Sequence, residues 1–276
     1  MKFIEANGAR IPALGLGTWT LAGATCADLV LSAIETGYTH IDTAAMYENE
    51  EDVGRAVERS GARRADLFVT TKVWWTDLAP DDLLRSARHS LERLKLEYLD
   101  LLLIHWPNPA VPLQDSIEAL NEAQRSGLTR HIGVSNFPTD LLARAVACSA
   151  APLVANQVEH HPYIDQTKVH QACRSHGMAM ISYCPLARGG GLFGEPAVVA
   201  AAKAHARSPA QIVLRWHVQQ DGIGVIPRTT KAERLAENAA VFDFALSEGE
   251  MASISALTRA NQRICDYGFS PRWDAP

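Results

Sequence analysis

The chain has 276 residues, 47% of them hydrophobic, which is enough for one large α/β barrel or two ordinary domains and excludes wholesale disorder. Its formal net charge of −5 gives no basic face for a nucleic-acid partner. The five cysteines, Cys26, Cys148, Cys173, Cys184 and Cys265, are widely spaced and form no CxxC pair, so they read as free thiols of a reducing compartment. The first residues lack the apolar stretch of a signal peptide. The longest apolar runs, such as Leu99 to Trp106, are too short to span a bilayer, so a cytoplasmic protein is expected.

Residues 2–12 read as a hairpin turning at Asn7-Gly8. Eight short apolar runs follow: Ala13 to Gly17, Thr39 to Asp42, Leu67 to Lys72, Leu99 to His105, His131 to Ser135, Val154 to Gln157, Met178 to Tyr183 and Ile223 to Ile226. Continuous apolarity at strand length suits parallel strands buried on both faces. The segments between them have helical spacing. From Asp81 to Leu96, for example, Leu83, Leu84, Ala87, Leu91 and Leu94 share one face. Capping boxes are expected at Ser208–Gln211, Thr230–Glu233 and Ser247–Glu250, the last opening a helix beyond the eighth unit. No linker or charge block interrupts the alternation. One domain over residues 1–276 is therefore expected: a (β/α)8 TIM barrel with an N-terminal hairpin plug and an extra C-terminal helix and loop.

In such a barrel, chemistry collects at the C-terminal ends of the strands. The runs end on Asp42, Lys72, His105, Ser135-Asn136, Gln157, Tyr183 and Pro227-Arg228, all polar or functional types. Each alone has an ordinary explanation. Asp42 and Lys72 would be an ion pair between neighbouring strands, and His105 a core histidine. Together with Tyr47, five residues past Asp42, they make a proton donor and an electrostatic clamp for an alkoxide forming from a carbonyl. Tyrosine is a weak acid, with an unperturbed pKa of about 10, and the Lys72 ammonium is expected to lower it.

These residues lie within longer patterns. Gly37-Tyr38-Thr39-His40-Ile41-Asp42-Thr43-Ala44 followed by Tyr47, His105-Trp106-Pro107, Gly133-Val134-Ser135-Asn136-Phe137, and Ile226-Pro227-Arg228-Thr229-Thr230-Lys231 with Arg234, Glu237 and Asn238 resemble the signatures of the aldo-keto reductase family. The resemblance runs from about residue 10 to the C-terminus. It implies Asp42, Tyr47, Lys72 and His105 as the catalytic tetrad, with Tyr47 the general acid. It further implies NADPH/NADP+ as cofactor. Ser135, Asn136 and Gln157 would hold the carboxamide and Tyr183 would stack on the nicotinamide. Gly17, Thr18 and Trp19 would approach from the first loop, Arg188 and Gly189 would lie in the loop that closes over the pyrophosphate, and Leu186 and Ile226 would also contact the cofactor. Arg228 and Arg234, with Thr229 and Thr230, stand where the family clamps the 2′-phosphate, and Glu237 and Asn238 where it meets the adenine. The family more often has Lys-Ser at the Arg228-Thr229 position, and the cation and hydroxyl are kept.

Two local patterns point elsewhere. Gly189 to Gly194 satisfies G-x-G-x-x-G, but Cys184 to Arg188 separate it from the preceding strand and no acid follows near Leu214, so it reads as a flexible loop. Glu159-His160-His161 is rich in metal ligands, yet adjacent residues of an extended segment point to opposite sides. These three are read as loop or surface, and no metal is expected.

Trp19, Trp74 and Trp106 lie on three rim loops and read with Trp273, Tyr47 and His105 as substrate-pocket walls. The stretch Asp266 to Trp273 is expected to fold over the pocket, and Trp75 to serve structurally. Short loops and the ending Arg263-Ile264…Ser270-Pro271-Arg272-Trp273-Asp274 resemble the B-type bacterial 2,5-diketo-D-gluconate reductases. That resemblance implies keto sugar acids, methylglyoxal and small aldehydes as substrates. A monomer with no nucleic-acid or membrane partner is expected. A second reading is an NADPH-sensing regulatory barrel that acts through a protein partner.

Overall fold

The computed structural model describes residues 2–275, so Met1 and Pro276 of the expected domain lie outside the described residues. Strands β1 (Phe3–Ala6) and β2 (Ala9–Pro12) form the antiparallel hairpin, pairing Ala6 with Ala9. Asn7 and Gly8 both have positive φ (46° and 85°), the backbone that a two-residue hairpin turn demands. The Asn7 side-chain amide donates to the carbonyls of Leu153 and His176, each at 2.8 Å. Those carbonyls precede or begin strands, so the hairpin seals the N-terminal end of the barrel, as its sequence suggests.

The barrel strands are β3 (Gly15–Gly17), β4 (His40–Asp42), β5 (Phe68–Val73), β6 (Leu99–Ile104), β7 (Thr129–Ser135), β8 (Leu153–Glu159), β9 (Ala179–Tyr183) and β10 (Ile223–Val225). All eight apolar runs become strands, and each pairs in parallel with the next. The ring closes where Leu14 bridges Val225 and the Val225 N–H donates to Ala13 O at 2.8 Å. The seam continues with Gly17 N–H donating to Pro227 O at 3.1 Å. A Cβ on Gly17 would lie 2.6 Å from Ile226 O, so only glycine lets the first and last strands meet here.

Helices α1 (Gly23–Glu35), α2 (Glu50–Ser60), α3 (Pro80–Leu94), α4 (Leu113–Arg125), α5 (Thr139–Cys148), α6 (Thr167–Ser175), α7 (Pro196–His205), α8 (Pro209–Gln219), α9 (Glu233–Ala239) and α10 (Glu248–Ser255) cover the outside. In α3, Leu83, Ala87, Leu91 and Leu94 are buried and Leu84 partly so, while Pro80 at the first turn and Asp81 and Asp82 beside it favour the start. The Ser208 and Ser247 capping boxes form. The Thr230 box does not. The buried Thr229 hydroxyl accepts the Lys231 N–H at 3.0 Å instead, and that turn delays α9 until Glu233, behind an uncapped Ala232.

Candidate active site

Lys72 is the centre of the strand-end cluster. It is 0% exposed, near the end of β5, and its Nζ donates to three oxygens. Asp42 Oδ1 lies at 2.5 Å, Thr43 O at 2.8 Å and Tyr47 Oη at 3.4 Å. Register explains the meeting, because β4 and β5 are neighbours and Asp42 ends the first while Lys72 nears the end of the second. Tyr47 arrives on a 3-10 turn (Ala45–Tyr47) just beyond β4. Asn49, which sequence reasoning passed over, is buried and braces this loop. It accepts from Thr43 Oγ1 and donates to Thr18 O and Leu21 O.

Burial lowers the Lys72 pKa, while the Asp42 carboxylate opposes it. The expectation for Tyr47 fails in direction. Burial first, and the Asp42 carboxylate second, push its phenol well above the ordinary value, and Lys72 does not reverse them. The apolar surroundings penalise the phenolate more than the ammonium favours it, so Tyr47 stays protonated. His105 follows β6, its ring edge-on to Tyr47 (centroids 5.6 Å) and to Trp74 (5.1 Å). Burial, then Lys72, drives its pKa well below 6.5, so the ring is neutral at neutral pH. Its Nδ1 is buried with no hydrogen-bond partner among the described residues.

The residues anticipated for a carboxamide form one network. Gln157 Nε2 donates to Asp42 Oδ2 at 2.7 Å. Ser135 Oγ donates to Gln157 O at 2.8 Å, Asn136 Nδ2 donates to His105 O at 2.9 Å, and Tyr183 Oη donates to Asn136 Oδ1 at 2.7 Å. Thr18 is buried and bonds the Asp42 carbonyl. The anticipated phosphate and adenine residues are not joined to this network by side-chain bonds. Arg228 donates to Trp19 O at 3.1 Å and to Thr20 Oγ1, tying the first loop to the last strand. Arg234 and Thr230 are exposed and Ile226 is buried. Glu237 accepts from Ser208 Oγ, and Asn238 is buried. Ala187, Arg188, Gly189 and Gly190 all have positive φ, in the glycine-rich loop after β9, with Gly189 N–H donating to Leu186 O.

Aromatic rings frame the mouth. Trp19, 45% exposed, lies 4.9 Å from Tyr47. Trp106 meets Trp273 at 6.0 Å. Tyr267 and Phe269, not singled out from sequence, complete the frame. Phe269 stacks on Trp75 at 5.2 Å and lies edge-on to Trp74 and Trp106 at 5.6 and 5.5 Å. The clustering of both with Trp273 in the Asp266 to Trp273 stretch was the available signal. Glu159, His160 and His161 are corrected. All three are buried, because β8 runs on to Glu159 and the C-terminal segment covers it. His160 turns to Ser182 and His161 to Glu159.

Among the described residues, no helix is long and apolar enough to cross a membrane, and all five cysteines are free. The aldo/keto reductase family model matches residues 13–196 and 194–259. The methylglyoxal reductase DkgB of Yersinia pestis is 42% identical over 267 residues, 96% of this chain and 99% of its own. The crystal structure of a putative 2,5-diketo-D-gluconic acid reductase B superposes with a TM-score of 0.97 at 44% identity, over 100% of this chain and 98% of that one. A Bombyx mori aldo-keto reductase in complex with NADP superposes with a TM-score of 0.89 at 34% identity, over 96% and 95% of the two chains. A barrel with buried Asp, Lys and His beside a protonated Tyr thus coincides with matches along nearly the whole sequence. The chain belongs to the aldo/keto reductase family and is an oxidoreductase acting on carbonyl groups.

Proposed function

We propose that the protein reduces small aldehydes and ketones with NADPH, Tyr47 supplying the proton. The observation that carries this reading is the Lys72 ammonium held between the Asp42 carboxylate and the Tyr47 hydroxyl. The donor set fits a phosphorylated nicotinamide dinucleotide. Arg188, Arg228 and Arg234 offer guanidinium groups for phosphates. Ser135, Asn136 and Gln157 offer amide and hydroxyl groups for a carboxamide, and Tyr183 offers a ring for stacking. When bound, the cofactor supplies a hydride to the carbonyl carbon. His105, neutral and wedged between Tyr47 and Trp74, orients the carbonyl oxygen by donating a hydrogen bond. Tyr47 gives its proton to that oxygen, and Lys72 stabilises the phenolate as it forms.

The printed names of the relatives favour methylglyoxal and 2,5-diketogluconate as first substrates. NADPH oxidation with each of the two tests the reading, and no oxidation with either would overturn it. Free thiols suit the reducing cytoplasm, and we read the enzyme as a monomer in one domain. The clustered catalytic groups favour turnover over a sensory role.

Two further results are expected. Arg234→Ala should raise the Kd for NADPH at least tenfold and leave that for NADH nearly unchanged, because only NADPH carries the 2′-phosphate. Equal weakening of both, in fluorescence titrations, would remove Arg234 from that role. The pH profile of kcat/KM should be level from about pH 6 to pH 9, with no inflection near the ordinary histidine pKa. His105 is already deprotonated well below that value, and Tyr47 must be protonated to act. The rate should therefore fall only on the alkaline side, as Lys72 loses its proton or Tyr47 ionises.

A further inference from the structure

Glu159 ends β8 with a carboxylate that is 0% exposed. Its Oε1 accepts the Ile264 N–H at 2.6 Å and His161 Nε2–H at 2.9 Å, and its Oε2 accepts the Cys265 N–H at 2.7 Å. His161 Nδ1 accepts the Tyr163 N–H at 3.3 Å, which leaves the ring proton on Nε2 to face Glu159. Burial pushes the Glu159 carboxyl up, but these donors outweigh it and hold it below the usual range. An ionised carboxylate thus grips two successive backbone amides from a segment 105 residues downstream of it.

That grip is one foot of an arch. At the other foot, Asp274 accepts from Thr139 N at 3.0 Å and from Thr139 Oγ1 at 2.6 Å, on the first turn of α5. Trp273 Nε1 donates to Asp266 Oδ1 at 3.0 Å, bracing the arch internally. Between the feet, Tyr267, Phe269 and Trp273 meet Trp106, and Phe269 also meets Trp74 and Trp75. Trp74 in turn lies against His105. Phe269 is therefore one ring away from a group assigned to the reacting carbonyl. Among the described residues, no other side chain donates to or accepts from both Ile264 and Cys265.

We infer that Glu159 is a positioning residue for substrate selection. It fixes the start of the arch so that Phe269 narrows the mouth; its backbone lies beside Tyr183 in the sheet, but its carboxylate is spent on His161, Ile264 and Cys265. The inference rests on the carbonyl-reductase reading above. Its action falls on substrates with a flat apolar body beyond the carbonyl, which must pass alongside the Phe269–Trp74 pair at the mouth. A three-carbon dicarbonyl such as methylglyoxal is too short to need that contact.

The test is steady-state kinetics of E159Q, F269A and E159Q/F269A, with methylglyoxal and with 4-nitrobenzaldehyde. A glutamine keeps the size of the side chain but turns one acceptor into a donor aimed at backbone N–H groups. E159Q should raise KM for 4-nitrobenzaldehyde about tenfold or more, with kcat for methylglyoxal within about twofold of wild type and the NADPH Kd unchanged. F269A should raise the same KM for 4-nitrobenzaldehyde, and the double variant should be no worse on that substrate than the more impaired single one. E159D, which keeps the charge, should recover part of the loss. An unchanged KM in E159Q, equal losses on both aldehydes, weaker NADPH binding, or losses that multiply in the double variant would each overturn the inference. Should E159Q fail to fold, D274A releases the other foot at the surface and must show the same selective rise in KM, or the arch does not select. Failure of the underlying reading looks different, because the wild-type protein would then oxidise NADPH with neither aldehyde.

Discussion

Replacing Tyr47 with Phe is expected to lower kcat for carbonyl reduction by about 10²–10⁴-fold, with the Kd for NADPH close to that of the wild type. The substitution deletes one oxygen and keeps the ring. The packing of Tyr47 against Trp19 and His105 therefore survives, and the loss reports proton donation rather than collapse of the pocket. Binding is spared because the residues offered to the phosphates lie on other loops. The hydride must then be delivered to a carbonyl whose oxygen receives no positioned proton, only the neutral His105 hydrogen bond. Single-turnover measurements with preformed enzyme–NADPH complex isolate this step. A variant that turns over at the wild-type rate would move the proton donor elsewhere, and His105 would be the next candidate.

Lys72→Met is expected to be as damaging to activity and, in addition, to cost about 3–5 kcal/mol of stability. Lys72 and Asp42 are both fully buried, at 0% and 1% exposure. Removing the ammonium leaves the Asp42 carboxylate with Gln157 as its side-chain donor and no cation. Neutralising the survivor should return much of the loss, so Asp42→Asn/Lys72→Met is expected to be more stable than Lys72→Met alone while remaining inactive. Denaturant midpoints of the three variants measure this. If the double variant is the less stable, packing rather than uncompensated charge dominates at this position.

The parts of the molecule that depend on local pattern were legible before any coordinates. Eight buried strands announced themselves as unbroken apolar runs, the hairpin as Asn7-Gly8, and two helix starts as serine capping boxes. The Thr230 box failed because a competing turn at Thr229 took the first amide. The grouping of Asp42, Tyr47 and His105 around Lys72 was legible because strand ends in a barrel share one rim, so position in the strand is position in space. What was hidden depends on distant partners. Glu159 and His161 look like surface polar residues until the chain returns at Ile264 and Cys265 to cover them. The direction of the Tyr47 pKa was hidden for a related reason. Charge can be counted in a sequence, but the depth of apolar covering that decides whether charge or desolvation wins cannot.

The seam of the barrel has a consequence for the order in which the protein becomes an enzyme. Asp42, Tyr47, Lys72 and His105 are all made early in synthesis. The contacts that close the ring, Leu14 on Val225 and Gly17 on Pro227, wait for the last strand. Until then β3 is an open edge, able to pair with another chain rather than its own end. Thr18, which holds the Asp42 carbonyl, sits on that unsupported margin. The groups proposed for the chemistry therefore precede the closing strand, and the barrel that holds them is complete only when a nascent half-barrel finds its final stave.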